Sequence, residues 1–181
     1  MLRADARRNR ARVLEVAAKV FANEGLAVPI DEIASRAGVG IGTVYRQFPT
    51  KEALFAAIVE DRISQLAERA EAAAREPAPG DAFFSVLDRM IDGAAHKRDL
   101  VDALVGAGVD LKSTANAAST RMRKALAVLL RRAQRAGEVR SDVNVEELFA
   151  LLGATFAAAN RAGASAPRLF AIVRDGLRAR A

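Results

Sequence analysis

Apolar residues recur along this chain at spacings of three and four, and no stretch alternates strictly between apolar and polar positions as a half-buried strand would. The pattern predicts an all-α chain of about nine helices. The first is expected over residues 5–23, with Leu14, Ala17, Ala18 and Phe21 on one face and Gly25 placed for a left-handed cap. Two very short helices follow. Thr50 is positioned to cap a fourth, which carries Glu52 in its first turn and Leu54, Phe55, Ile58, Val59, Ile63 and Leu66 along its apolar face until Glu76-Pro-Ala-Pro-Gly80 ends it. A fifth, over 81–95, turns Phe83, Phe84, Leu87, Met90 and Ile91 inward, and a short helix over 98–105 precedes the break at Gly106-Ala-Gly108. A long helix over 113–136 buries Met122, Leu126, Leu129 and Leu130 and stops at Gly137. Asn144 with Glu147 makes an Asn variant of the capping box, opening a helix over 145–161. Pro167 starts the last one, which carries Leu169, Phe170, Ile172, Val173 and Leu177.

The second and third helices carry the most specific pattern, a helix-turn-helix over about 28–47. Such a motif needs a small residue where two helices cross, a residue tolerant of positive φ in the turn, and apolar pins to a third helix. Ala34 is the small residue, Gly38 the turn glycine, and Ile33, Ala37, Val39 and Val44 the pins. The helix after the turn, 41–47, offers Gly40, Ile41, Gly42, Thr43, Tyr45, Arg46 and Gln47 to a DNA major groove. Thr43 and Tyr45 have hydroxyls suited to phosphate oxygens, and Lys51 adds a charge-assisted contact. Gln47 suits adenine and Arg46 guanine, with contact to phosphate alone as the alternative for both.

Charge reinforces this reading. Net charge is +6, and residues 1–51 hold nine Lys/Arg against five Asp/Glu, so that +4 of the excess lies there and +2 in the remaining 130 residues. Arg3, Arg7, Arg8, Arg10 and Arg36 join the candidate DNA contacts, the first four as an N-terminal arm for the minor groove or phosphate. The 51% hydrophobic content of 181 residues supplies a sizeable core, and the absence of cysteine excludes disulfides and thiolate metal sites. The charged N-terminus and the lack of an apolar run of ~20 residues lead us to expect a cytoplasmic protein without membrane contact.

The run Ile33-Ala-Ser-Arg-Ala-Gly-Val-Gly-Ile-Gly-Thr-Val-Tyr-Arg-Gln-Phe-Pro-Thr-Lys-Glu-Ala-Leu54, with Arg12-Val-Leu-Glu-Val-Ala-Ala-Lys-Val-Phe21 and Glu24-Gly25 before it, resembles the tetracycline-repressor (TetR) family of bacterial transcriptional regulators. The strong match covers about residues 5–64, and Ala136-Gly-Glu-Val-Arg-Ser-Asp142 is a weaker echo. The resemblance implies a DNA-binding domain over 5–64 and an effector-binding and dimerisation domain over 65–181. It also implies a homodimer on a palindromic operator, and an inducer pocket in the second domain. Thr43, Tyr45 and Lys51 match positions that commonly hold phosphate. Gly40 and Ile41 depart from a common Ser and Lys, Gln47 from a frequent His, and Pro29 lies near a Thr-rich capping site. Ile41 suits a thymine methyl instead.

For the C-terminal half two readings compete at each cluster. Phe83, Phe84, Leu87, Met90, Met122, Leu126 and Phe156 are core on periodicity alone, and become candidates for a small apolar effector through the resemblance. Phe149, Leu152, Phe170 and Val173 exceed what one small domain needs, which favours a dimer interface built from the last two helices of each copy. Asp88 and Asp92 read as a solvated helix face, and the single histidine, His96, as a surface or helix-end residue or pocket lining. Gly38-Val-Gly-Ile-Gly42 follows a helix and lacks the spacing of a dinucleotide loop. No catalytic residues, metal or cofactor are expected. The alternative function is a dimeric DNA-binding regulator with no small-molecule input.

Overall fold

Three glycines with positive φ, Gly25 (79°), Gly38 (62°) and Gly137 (71°), end helices in the left-handed conformation that a Cβ disfavours. The computed structural model describes residues 2–95, 116–162 and 166–179. These form eight helices: α1 (Leu2–Glu24), α2 (Ile30–Ala37), α3 (Ile41–Gln47), α4 (Lys51–Ala73), α5 (Pro79–Ala95), α6 (Asn116–Arg135), α7 (Val145–Ala162) and α8 (Ala166–Leu177). The architecture is all-α; the helix expected over 98–105 lies outside the described residues.

Two starts differ from expectation. α1 begins at Leu2, three residues earlier, so that the arginines assigned to an arm belong to the helix. Ala and Arg are strong helix formers, and an Arg8–Asp5 ion pair spans one turn there. α5 begins at Pro79, whose missing N–H suits a first turn, while the Gly80 N–H donates to Glu138 Oε1 at 3.3 Å. Other ends follow the expected chemistry. Thr50 Oγ1 accepts from the Ala53 N–H (3.1 Å), and Asn144 Oδ1 accepts from the Glu146 and Glu147 N–H groups at 2.9 Å each. Glu147 Oε2 in turn accepts from the Asn144 N–H at 2.9 Å, completing a reciprocal cap.

The described residues divide into two compact units, one running to Ile63 and the other from Ser64 to Ala95 and from Ala117 onward. The first buries Val13, Leu14, Ala17 and Phe21 of α1 against Ile30, Ile33 and Ala34 of α2, Val44 of α3, and Leu54, Phe55 and Ile58 of α4. Fully burying each large aliphatic side chain contributes roughly 1.5–3 kcal/mol, and Phe21 and Phe55 meet at 6.4 Å between ring centres.

In the second unit Phe83 and Leu87 of α5, Leu126 and Leu129 of α6, Leu148 and Leu152 of α7, and Phe170 of α8 are buried. Arg121 of α6 forks onto Glu71 of α4 at 2.6 and 2.7 Å and holds that carboxyl below the ordinary glutamate range. Arg132 donates to the carbonyls of Ala74 and, at 2.9 Å, Glu76, meeting acceptors left just beyond the end of α4. The chain after α8 pairs with the turn after α6 in a single antiparallel bridge, Val139 to Arg178. There the Arg140 N–H donates to the Leu177 carbonyl (3.0 Å) and the Ala179 N–H to the Glu138 carbonyl (3.2 Å).

Candidate nucleic-acid interface

Gly38 sets the angle at which α3 leaves α2. Its N–H donates to the Ser35 carbonyl at 3.0 Å, the Val39 N–H donates to the Ala34 carbonyl at 3.1 Å, and the chain then restarts at Gly40. Val44 and Phe48 are buried and fasten α3 to the core. The opposite side of α3 stays outside. Ile41 and Tyr45, four residues apart and hence on one face, are 45% and 43% exposed, and Arg46 is exposed beside them, with Thr43 and Gln47 half-buried. Neither α2 nor α3 has a side-chain N-cap, because Pro29 and Gly40 stand where a Ser or Thr would bond the first free N–H groups.

Several candidate side chains are engaged within the chain. The Tyr45 hydroxyl donates to Asp31 Oδ1 at 2.9 Å, and this bond to a carboxylate holds the phenol proton above its ordinary pKa. Arg36 is shared between Glu32, one helical turn back (2.8 Å), and Glu24 of α1, which it meets through two nitrogens. That hydrogen bonding keeps the Glu24 carboxyl below the usual glutamate range. Lys51 Nζ donates to the Leu26 carbonyl at 2.6 Å, and Arg10 lies 4.8 Å from the centre of the Phe48 ring. Arg8 pairs with Asp5, Arg7 is exposed, and the side chain of Arg3 lies outside the described residues. Glu52, at the start of α4, is held below the ordinary range by a backbone N–H and by Thr50.

Sequence reasoning did not name Asp31, Glu24 or Glu32 as partners. The i, i+4 spacing of Glu32 and Arg36 was a usable signal; the Glu24–Arg36 and Asp31–Tyr45 pairs, 12 and 14 residues apart across turns, carried none.

This arrangement is a helix-turn-helix with an outward second helix, and known proteins match both halves of the chain. The family model described as bacterial regulatory proteins of the tetR family matches residues 13–58. The C-terminal domain of SbtR-like transcriptional regulators matches residues 78–179, more than half of the chain. The chain belongs to the TetR family. It is therefore a DNA-binding transcriptional regulator. Among solved TetR structures, the TetR transcription regulatory protein of Mycobacterium vanbaalenii is 49% identical over 98% of this chain and 99% of that one, with a TM-score of 0.77. A TetR transcriptional regulator of Streptomyces coelicolor is 36% identical over 95% and 99%, with a TM-score of 0.73. An HTH-type transcriptional regulator of Staphylococcus aureus is 43% identical over 54 residues, so the chain covers 29% of that curated relative's length.

In the second unit of this TetR chain, Phe83, Phe84, Leu87, Met122 and Leu126 are buried, with the Phe83 and Phe84 rings edge to face at 5.2 Å. Met90 and Phe156 are half-buried, the latter 4.6 Å from the ring of Phe170. Of the residues expected at a dimer interface, Leu152 and Phe170 are buried within the chain. Val173 is half-buried, and Phe149 is half-buried under the Arg123 guanidinium at 4.4 Å. Leu151 and Ile172 are the large apolar residues of α7 and α8 left exposed. An open hollow of about 440 Å³ is lined by Asp81, Phe84, Ser85, Asp88, Arg89 and Arg174. In it Asp88 meets Arg174 at 2.8 Å. His96 lies outside the described residues, as does the side chain of Asp92.

Proposed function

We propose that the protein is a cytoplasmic homodimeric repressor that places α3 of each copy in the major groove of a palindromic operator and is released by a small apolar effector. The observation that carries the DNA reading is the division of α3, with Val44 buried and Ile41, Tyr45 and Arg46 outside. Thr43, Arg46 and Lys51 would hold phosphates, with Arg7, Arg8 and Arg10 adding positive charge, while Gly40, Ile41, Gly42 and Gln47 would face the bases beside the ring of Tyr45, whose hydroxyl proton is given to Asp31. Lys51 has a neutral carbonyl as its partner, which it can exchange for a phosphate at little electrostatic cost. Arg36 already serves two carboxylates, which makes it a brace between α1 and α2 in this reading.

Dimerisation through α7 and α8 is supported by Leu151 and Ile172, which a four-helix contact between two copies would cover, with Phe149 and Val173 beside them. A twofold dimer requires half-sites of opposite sense. For the effector, the buried aromatic and methionine cluster of α5 and α6, extended by Phe156, would open to line an apolar pocket. Release then requires the effector to bind the DNA-incompetent state more tightly than the competent one.

The test is selection of bound fragments from a random duplex library, followed by mobility shift in the presence of a panel of apolar metabolites. We expect an enriched inverted repeat whose retardation at least one compound abolishes. No enrichment would overturn the DNA reading, and an asymmetric site would overturn the twofold one. A second reading, a dimeric regulator with no small-molecule input, is favoured by the closed packing of Phe83, Leu87 and Leu126, each fully buried. Retardation indifferent to every compound supports it.

A further inference from the structure

Gly40, Ile41 and Gly42 open α3 without one polar side chain among them. A Cβ placed on Gly40 or on Gly42 would meet nothing within 4 Å, and neither residue has positive φ. Unlike Gly38, neither is required by the backbone or by internal packing, although glycine is among the weakest helix formers. Between them Ile41 is 45% exposed. Tyr45, one turn on, extends the same face with its ring, since its hydroxyl proton is given to Asp31. The head of α3 is thus an apolar knob with bare backbone on both flanks. The apolar feature that a base pair offers in the major groove is the C5-methyl group of a pyrimidine.

Resting on the DNA-binding reading above, we propose that Ile41 is a methyl reader that packs on the C5-methyl of one pyrimidine in each half-site, with Gly40 and Gly42 keeping the flanks clear for close approach. Ile41 has neither donor nor acceptor, so it cannot tell the O4 of thymine from the N4 amine of 5-methylcytosine; it distinguishes methyl from hydrogen. Cytosine methylation at that position therefore substitutes for thymine, and covalent marking of the DNA becomes an input to operator affinity.

The experiment uses the full chain and a duplex site taken from library selection. Each thymine is replaced in turn by uracil, and each cytosine at the position so identified is compared with 5-methylcytosine, so that base pairing is constant within each comparison. Fluorescence anisotropy reads affinity. We expect removal of one methyl per half-site to weaken binding about fourfold for each half-site, and 5-methylation of cytosine at the same position to strengthen it by a similar factor. In Ile41→Ala and Ile41→Ser both ratios move to about one, with helicity checked by circular dichroism. A wild-type thymine-to-uracil ratio near one at every position, or a ratio that persists in both variants, overturns the assignment while leaving DNA binding intact. A library that yields no enriched site removes both readings together.

Discussion

Arg36 and Arg46 stand ten residues apart in one motif, and their surroundings differ. Arg36 is bound to Glu24 and Glu32, whereas Arg46 is exposed on α3. Removing one protein–phosphate interaction makes the dependence of log affinity on log salt shallower by about 0.9. Arg46→Gln is therefore expected to reduce the slope by that amount for each copy bound, and Arg36→Gln to leave it unchanged, as read by anisotropy titrations at several salt concentrations. Arg36 should show instead in acid stability. Its hydrogen bonds depress the Glu24 pKa, so the unfolded chain binds more protons than the folded one near pH 4. The resulting stabilisation is present above the ordinary glutamate value and is lost as pH falls through the depressed one. Thermal melts between pH 6 and pH 3 should show a shallower loss of Tm in Arg36→Gln than in the parent protein. The sequence suggests both arginines as DNA contacts because composition shows charge and not its partners; Glu32 reaches Arg36 within α2, but the carboxylate of Glu24 does so only once α1 and α2 have packed.

Among the elements, the helix-turn-helix was the most legible. Small and apolar residues at fixed offsets around Gly38 leave few other structures open, and the caps at Thr50 and Asn144 are local chemistry complete within four residues. The start of α1 was less legible, because a run of good helix formers has no punctuation to mark its beginning. The bridge between Val139 and Arg178 left no periodic trace at all, being two residues paired across 39 positions. The glycines of the motif differ in kind. Gly38 at φ 62° should resist substitution, with Gly38→Ala losing about 1–2 kcal/mol. Gly42 lies inside α3 with open space around it, so Gly42→Ala should gain about 0.5–1 kcal/mol while weakening DNA binding. Urea unfolding and the same anisotropy assay would show stability and binding moving in opposite directions at Gly42 and together at Gly38.

For the whole molecule, the apolar surplus of α7 and α8 was visible in the sequence, and its division between inside and outside was not. Phe149, Leu152, Phe170 and Val173 are as apolar as Leu151 and Ile172, yet it is the latter two that remain exposed. A helix face is chosen by what packs beneath it, which periodicity alone leaves ambiguous when both faces are apolar. Replacing the exposed pair, Leu151→Glu with Ile172→Glu, is expected to yield a monomer by light scattering with helicity retained. Without the second half-site, affinity for an inverted repeat should fall by roughly 100-fold or more. An unchanged dimer would place the interface elsewhere on the chain.

The bond from Lys51 to the carbonyl of Leu26 gives the protein a built-in spectroscopic reporter. The amide nitrogen of Ala27 shares the peptide plane of that carbonyl, so its resonance is tuned by whether the ammonium is present. On the proposed exchange of that carbonyl for a phosphate, the Ala27 cross-peak should move in a heteronuclear spectrum, although Ala27 has no side chain able to grip DNA. Titrating operator and non-operator duplexes against that one peak would count how many copies of the lysine have let go, and at what DNA concentration each does so.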